Sequence, residues 1–293
     1  MIRMKQGILI SGYKNLKHIK QIVDFFDDDF TFYVHIDKKI ELPEQELTEI
    51  KEHKKVAFFS RKYVTNWGGR NTLRSILLMA EAAVKDTQIE YIHLISGGDF
   101  PVKNSRQFSE YLNSNKGKEF IENFPMPATR WAEGGMNRLY NYNLYDMFNA
   151  KTYWGNRLIQ YAFKIQRNLN FKRKISAKLP PLHGGSTWWT LSRDCLQYVV
   201  EYTNKNPTLL KRLKYSFCSE EIYFQTLVMN SSFAANVENE NLRYIKWETK
   251  HGSMPAILDE EDMADIEKPD KLFARKMEYP FSEKLVSELI KRK

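Results

Sequence analysis

Cysteine is scarce. Cys195 and Cys218 are the only two in 293 residues. They can make one bridge at most, so no disulfide framework supports the fold, and two thiols alone cannot complete a zinc site. A reducing compartment suits such a chain. Long apolar runs are missing too. No stretch approaches the ~18 apolar residues that a membrane-spanning helix needs. Met1–Gln6 is too short and too polar to be the apolar region of a signal peptide. The expected protein is soluble and cytoplasmic, or peripheral at the inner face of a membrane. Nucleic acid is not expected as a partner, because there is no arginine-rich arm, zinc-finger spacing or RNP-type motif. There is no P-loop and no G-x-G-x-x-G fingerprint. No Ser-His-Asp or Cys-His arrangement is evident, and His35 and His93 sit in apolar strands as core histidines.

What is present is a core-forming composition. Hydrophobic residues make up 42%, charged residues 28% and aromatics 14%, and the net charge is +9. A basic balance favours anionic partners such as nucleotide phosphates or a lipid surface. The densest patch runs from Lys172-Arg173-Lys174 to Lys178, and a shorter one is Lys291-Arg292-Lys293. Each fits a solvated face or a membrane-surface patch.

The first 115 or so residues alternate strand and helix patterns. Gly7 to Ser11, Phe30 to Ile36, Val56 to Phe59 and Tyr91 to Ile95 read as strands. Lys14 to Phe26, Leu47 to Glu52, Leu73 to Val84 and Ser105 to Leu112 read as helices. This βαβ rhythm predicts an α/β fold: a mostly parallel twisted sheet with helices on both faces. Residues just after such strands hold ligands, which singles out Ser11-Gly12, Asp37-Lys38-Lys39 and Ser96 to Asp99. Ser96-Gly97-Gly98-Asp99-Phe100-Pro101 reads as a turn ending in a helix-starting proline. From Phe120 to Pro181 the pattern weakens, and an irregular, acceptor-facing insertion is expected. Order resumes at Gly184-Gly185-Ser186, a strand leading into a helix through Val200. Glu220 to Met229 and Leu285 to Lys291 read as helices, and Leu242 to Trp247 as a strand.

Glu220 and Glu221 open an apolar helix. Acidic residues there offset the helix dipole. Equally, one of them can serve as the carboxylate that takes a proton from a hydroxyl nucleophile. Spacing alone does not choose. Divalent metal is not expected: Asp27-Asp28-Asp29 is a solvated turn between helix and strand, and Asp37 and Asp99 lack an acidic partner two residues away. Basic side chains would then have to meet a leaving diphosphate, and Arg275-Lys276 is a candidate clamp. Trp67-Gly68-Gly69 precedes a helix whose N-terminus could cradle phosphate. Gly185 and Ser186 could let a sugar approach the backbone. Trp247, after a strand, could stack on a sugar ring.

Taken in order, the motifs resemble one family. They are Val34-His35-Ile36-Asp37-Lys38-Lys39, Trp67-Gly68-Gly69, Ser96 to Pro101, Gly185-Ser186 to Ser192-Arg193, Ser219 to Leu227, Arg243 to Trp247, and Leu272 to Lys276. The set is similar to the core-2/I-branching β-1,6-N-acetylglucosaminyltransferase and peptide O-xylosyltransferase family. The resemblance implies a GT-A-like single domain over residues 1–293, with a nucleotide-binding half (1–115) and an acceptor-binding and catalytic half (116–293). It also implies a UDP-sugar donor (GlcNAc or xylose), inversion at the anomeric carbon, no metal and no other cofactor. The family's catalytic glutamate falls on Glu221, where Ser219 and Glu220 replace the family's proline and aspartate. Its phosphate contact falls on Lys276, with Arg275 beside it, and its acceptor-stacking tryptophan on Trp247. Asp37, with Gly12, Ser96, Gly97 and Asp99, matches the donor side. Glu122 and Arg130, with Gly185 and Ser186, match the acceptor side. Animal members carry a membrane anchor, a stem and many cysteines. Lacking these, the chain resembles a compact bacterial-type member acting on a glycan or glycolipid in surface polysaccharide or glycoconjugate synthesis. A non-catalytic nucleotide- or glycan-binding protein on the same scaffold is the alternative.

Overall fold

The structure is a computed structural model that describes residues 4–267 and 270–293, so the first three of the polar leading residues lie outside it. The strands of the first half are β1 (Gln6–Gly12), β2 (Phe30–Ile36), β3 (Val56–Ser60), β4 (Tyr91–Ser96), β5 (Asp99–Pro101) and β6 (Glu119–Ile121). Then come β7 (Phe124–Pro125), β8 (His183–Gly184), β9 (Trp189–Ser192), β10 (Val237–Glu238), β11 (Arg243–Ile245) and β12 (Phe273–Arg275). The first helices are α1 (Leu16–Phe25), α2 (Glu44–Lys51), α3 (Asn71–Ala83), α4 (Ser105–Ser114), α5 (Asn137–Tyr140) and α6 (Tyr153–Asn168). They are followed by α7 (Arg193–Lys205), α8 (Thr208–Arg212), α9 (Glu220–Met229), α10 (Met263–Ile266) and α11 (Glu283–Lys291).

Seven strands form the central sheet in the order β10-β6-β9-β4-β1-β2-β3. Only β9 runs against its neighbours, so the sheet is mostly parallel, as the βαβ rhythm predicts. Side chains alternate across it with period two. Ile8 and Ile10 of β1 pack under α1, α2, α4 and α11, in one core that includes Ile19, Leu47, Phe108 and Leu285. Leu9 points the other way, into a second core with α3, α7 and α9. Both faces are therefore covered, and β1 is free of exposed apolar residues because it has no exposed face.

Two expectations are corrected. Pro101 does not start a helix. It ends β5, which pairs antiparallel with β12, and α4 begins later, where Asn104 and Gln107 form a reciprocal cap. The stretch from 120 to 181 is not irregular throughout, since it contains α6, of 16 residues. Its fully buried positions are few, Gly155 and Ile159.

Candidate active site

The carboxyl ends of β1, β2 and β4 meet at one edge, and the backbone ties them together. Asp37 N–H donates to Gly12 O at 2.9 Å, and Gly97 N–H donates to Ser11 O at 3.0 Å. Gly97 and Gly12 approach closely enough that a Cβ on Gly97 would sit 3.5 Å from Gly12 Cα. A Cβ on Gly12 would strike Ile36 Cδ1 at 2.5 Å and Ile19 Cδ1 at 2.7 Å. Glycine is needed here for packing between strand ends and α1. The buried Asp37 accepts from the backbone N–H groups of Lys39 and Thr65, both at 3.1 Å, and its other oxygen lies 2.9 Å from Lys39 Nζ. It thus holds the loop that follows β2. His93 is satisfied on both ring nitrogens, by Thr190 and Gln6. His35 accepts from Tyr63 N–H, and burial lowers its pKa to about 4.

β12 brings a cationic group to the same edge. Asp99 is fully buried, and its Oδ2 accepts from Ser96 N–H and Oγ. Arg275 Nη1 lies 3.0 Å from that same oxygen, and its guanidinium stacks over Trp188 at 4.6 Å. Arg275 is therefore held between a buried carboxylate and an indole face, a fixed positive charge with a low cost of ordering. Lys276 lies 2.9 Å from Glu278, which also pairs with Lys14 at 2.6 Å. Lys14 and Lys151 each sit 5.5 Å from the Tyr13 ring centroid. Lys151 has its pKa lowered by burial and then by Lys14, Lys276 and Lys39. Lys14, Lys39, Lys151 and Lys276, with Asp37 and Glu278 among them, leave a surplus of positive charge at the strand ends. Lys151 was not legible in the sequence, because it enters from the turn before α6.

Glu221 lies across from this group. Its side chain is 24% exposed, and Oε2 meets Arg138 Nη1 at 2.5 Å. Thr187 Oγ1 donates to its other oxygen at 3.4 Å. Arg138 in turn stacks on Trp131, 3.6 Å from the ring centroid. Burial raises the Glu221 pKa, and Arg138 acts against that rise. Glu220 points inward instead. It is buried, its Oε2 has no hydrogen-bond partner among the described residues, and burial together with Glu221 pushes its pKa up. Adjacent positions on α9 point about 100° apart, which separates the two glutamates; before the helix, Cys218 takes a left-handed φ of 46°, and its N–H donates to Gly68 O at 3.1 Å. Ligand atoms of Cys218, Glu220 and Glu221 lie within 4.8 Å of one another, but a cation there would have to displace Arg138. Cys195 and Cys218 are both free and buried.

Gly185 joins α9 to the segment after β6 that holds Glu122. Its N–H donates to Glu221 O at 2.9 Å, and an added Cβ would fall 1.8 Å from Glu122 O. Ser186 O accepts from Gln225 of α9. Glu122 lies 3.7 Å from Arg130. Glu122, Gly185, Ser186 and Glu221 thus share one wall. Trp247 is 72% exposed on a loop pinned beside Lys276, through Lys246, Ala256 and the backbone of Lys276. The N-terminus of α3, after Trp67-Gly68-Gly69, is not open to phosphate. Asp146 already accepts from the N–H groups of Arg70 and Asn71, at 3.1 and 3.0 Å.

The two halves of the site are joined by adjacent residues. Thr187 touches Glu221 and Trp188 touches Arg275, and neighbouring Cα atoms are about 3.8 Å apart. The Core-2/I-Branching enzyme profile matches residues 8–267. The chain belongs to the Core-2/I-Branching enzyme family. Membership places it among glycosyltransferases. The family's curated relatives include mouse (Mus musculus) Xylosyltransferase 2, 24% identical over 260 residues, covering 86% of this chain and 27% of that protein. Xylosyltransferase sqv-6 of Caenorhabditis briggsae is 26% identical over 258 residues, covering 84% and 29%. The chain spans little more than a quarter of the length of these relatives. Among solved structures, S. aureus TarS 1-349 aligns over 80% of this chain and 57% of that one, with 11% identity and a TM-score of 0.40. Of the residues this family resemblance pointed to, Glu221, Arg275, Lys276, Asp37, Ser96 and Asp99 converge on the strand ends and α9. Arg138, Trp131 and Lys151 join them without having been marked by any motif, and Thr187 comes from within the Gly185 to Arg193 motif.

Proposed function

We propose that this chain transfers a sugar, GlcNAc or xylose, from a UDP-sugar to a hydroxyl of a glycan acceptor, with inversion and without a metal. The observation that carries this reading is the pairing just described: an acid on one side of Thr187-Trp188 and a fixed cation on the other. UDP would lie across the ends of β1, β2 and β4, with its diphosphate toward Arg275, Lys276 and Lys151 from the second half. The acceptor would enter from the 116–293 half, with Trp247 under its ring and Glu122 and Arg130 at its side.

The acceptor oxygen attacks the anomeric carbon from the face opposite the diphosphate. Glu221 takes the hydroxyl proton as the new C–O bond forms. The bond from the anomeric carbon to the diphosphate oxygen breaks, and UDP leaves with the electron pair. Arg275, Lys276, Lys14 and Lys151 meet the charge that develops on it. A divalent cation would do the same job, but each acid at this end is already paired: Asp37 with Lys39, Asp99 with Arg275, Glu278 with Lys14 and Lys276. Arg138 holds Glu221 in place and favours its ionised form, while burial keeps its pKa above that of a free carboxylate, closer to the working pH of a base. A surface polysaccharide or glycoconjugate precursor fits as the acceptor class.

The test is turnover of UDP-GlcNAc and UDP-xylose with glycan acceptors in excess EDTA, with the product anomer read by NMR. An α-linked donor should give a β-linked product, with activity retained. Complete loss that metal restores, or an α-linked product, would contradict the proposal.

A further inference from the structure

The proposed chemistry leaves most of α6 unexplained. Gly155 and Ile159 are buried and Ala162, Phe163 and Gln166 half-buried, which anchors one side of the helix. A second apolar row faces solvent: Trp154, Leu158, Tyr161, Ile165 and, just past the helix end, Leu169. Spacings of three and four put them on one line. Trp154 is 74% exposed and Leu169 73%, so no described part of the chain covers the ends of the row. An exposed apolar patch of this kind marks a contact surface.

Charge indicates the partner. Residues 147–178 contain eight Lys and Arg and no Asp or Glu, in a chain whose net charge is +9. The basic residues are thus less evenly spread than they first look. Arg157 and Lys164, seven residues apart and both exposed, follow the edge of the apolar row that faces away from the protein body.

We propose that α6 lies on an anionic lipid bilayer. The apolar row enters the boundary between headgroups and acyl chains, and Arg157 and Lys164 along its edge meet headgroup phosphates. A second copy of the chain is a poorer occupant, since it would bring eight more positive charges against these. Lys151 immediately precedes the helix and belongs to the cationic group at the donor end, so docking would set that end beside the membrane.

The full chain is tested by co-sedimentation with vesicles of equimolar phosphatidylglycerol and phosphatidylcholine, against vesicles of phosphatidylcholine alone. Binding should require the anionic lipid and weaken with salt. Leu158→Glu with Ile165→Glu should reduce it at least about tenfold, with melting temperature and turnover of a soluble acceptor unchanged. Arg157→Glu with Lys164→Glu should reduce it similarly, and this pair decides the matter should the first variant fold poorly. Equal binding to both vesicles, unimpaired binding by the charge-reversed pair, or a wild-type dimer that Leu158→Glu dissociates would overturn the proposal.

Discussion

Glu220 and Glu221 are neighbours with opposite environments, and the difference has measurable consequences. Glu221 is held by Arg138 and Thr187 at a partly open surface, whereas Glu220 is buried. In Arg138→Ala the guanidinium that favours the Glu221 carboxylate is gone. The acid limb of the kcat profile should therefore move to higher pH, and kcat at neutral pH should fall. An unmoved limb would mean that Arg138 does not set the ionisation of the base. Glu220 gives the stability counterpart. Its folded pKa is raised above the unfolded value of about 4.3, so the folded state binds a proton that the unfolded state has released. Wild-type stability is lost as pH rises through that window, and Glu220→Gln is spared the loss. The melting temperature of the variant relative to wild type should be higher at about pH 8 than at about pH 5. None of this division was legible locally, since two glutamates at a helix start look alike. The fold decides it: successive positions on α9 point about 100° apart, so one enters the core and the other meets Arg138.

At the level of elements, what could be seen from the sequence depended on periodicity. β2 and α9 run over the residues that alternation and helical spacing predict. α6 was missed although Trp154, Leu158, Tyr161 and Ile165 recur at helical spacing, because that row faces solvent and few of the helix's residues enter a core. The cap of α3 was missed for a different reason: it comes from Asp146, 75 positions from Asn71. The strand approach at Gly185 is a tight spot between Glu122 and α9. Gly185→Ala should destabilise the protein by about 3 kcal/mol, the scale of an overpacked core, as read by thermal or chemical denaturation. It should also lower turnover by displacing Glu221. A variant as stable and active as wild type would show that the backbone there gives way easily.

At the scale of the whole molecule, the sheet order and the sequence of motifs agree. The proposed donor residues follow strands that are adjacent in the sheet, β4, β1 and β2, which is why positions far apart in the chain could be grouped before any coordinates. The cationic surplus could not be, because Lys14, Lys151 and Lys276 come from three distant turns. Lys151→Ala should raise the donor KM or the UDP Kd by roughly tenfold, the value of one charge-assisted contact, and leave the acceptor KM unchanged. An unaltered UDP affinity would remove Lys151 from the clamp.

The central claim is that Glu221 is the base. It is tested most directly by comparing kcat and UDP affinity in Glu221→Gln, which keeps the shape of the side chain and removes its basicity. The expected result is a kcat lower by roughly 10²-fold or more with UDP affinity barely changed. Near-normal turnover in that variant would contradict the assignment.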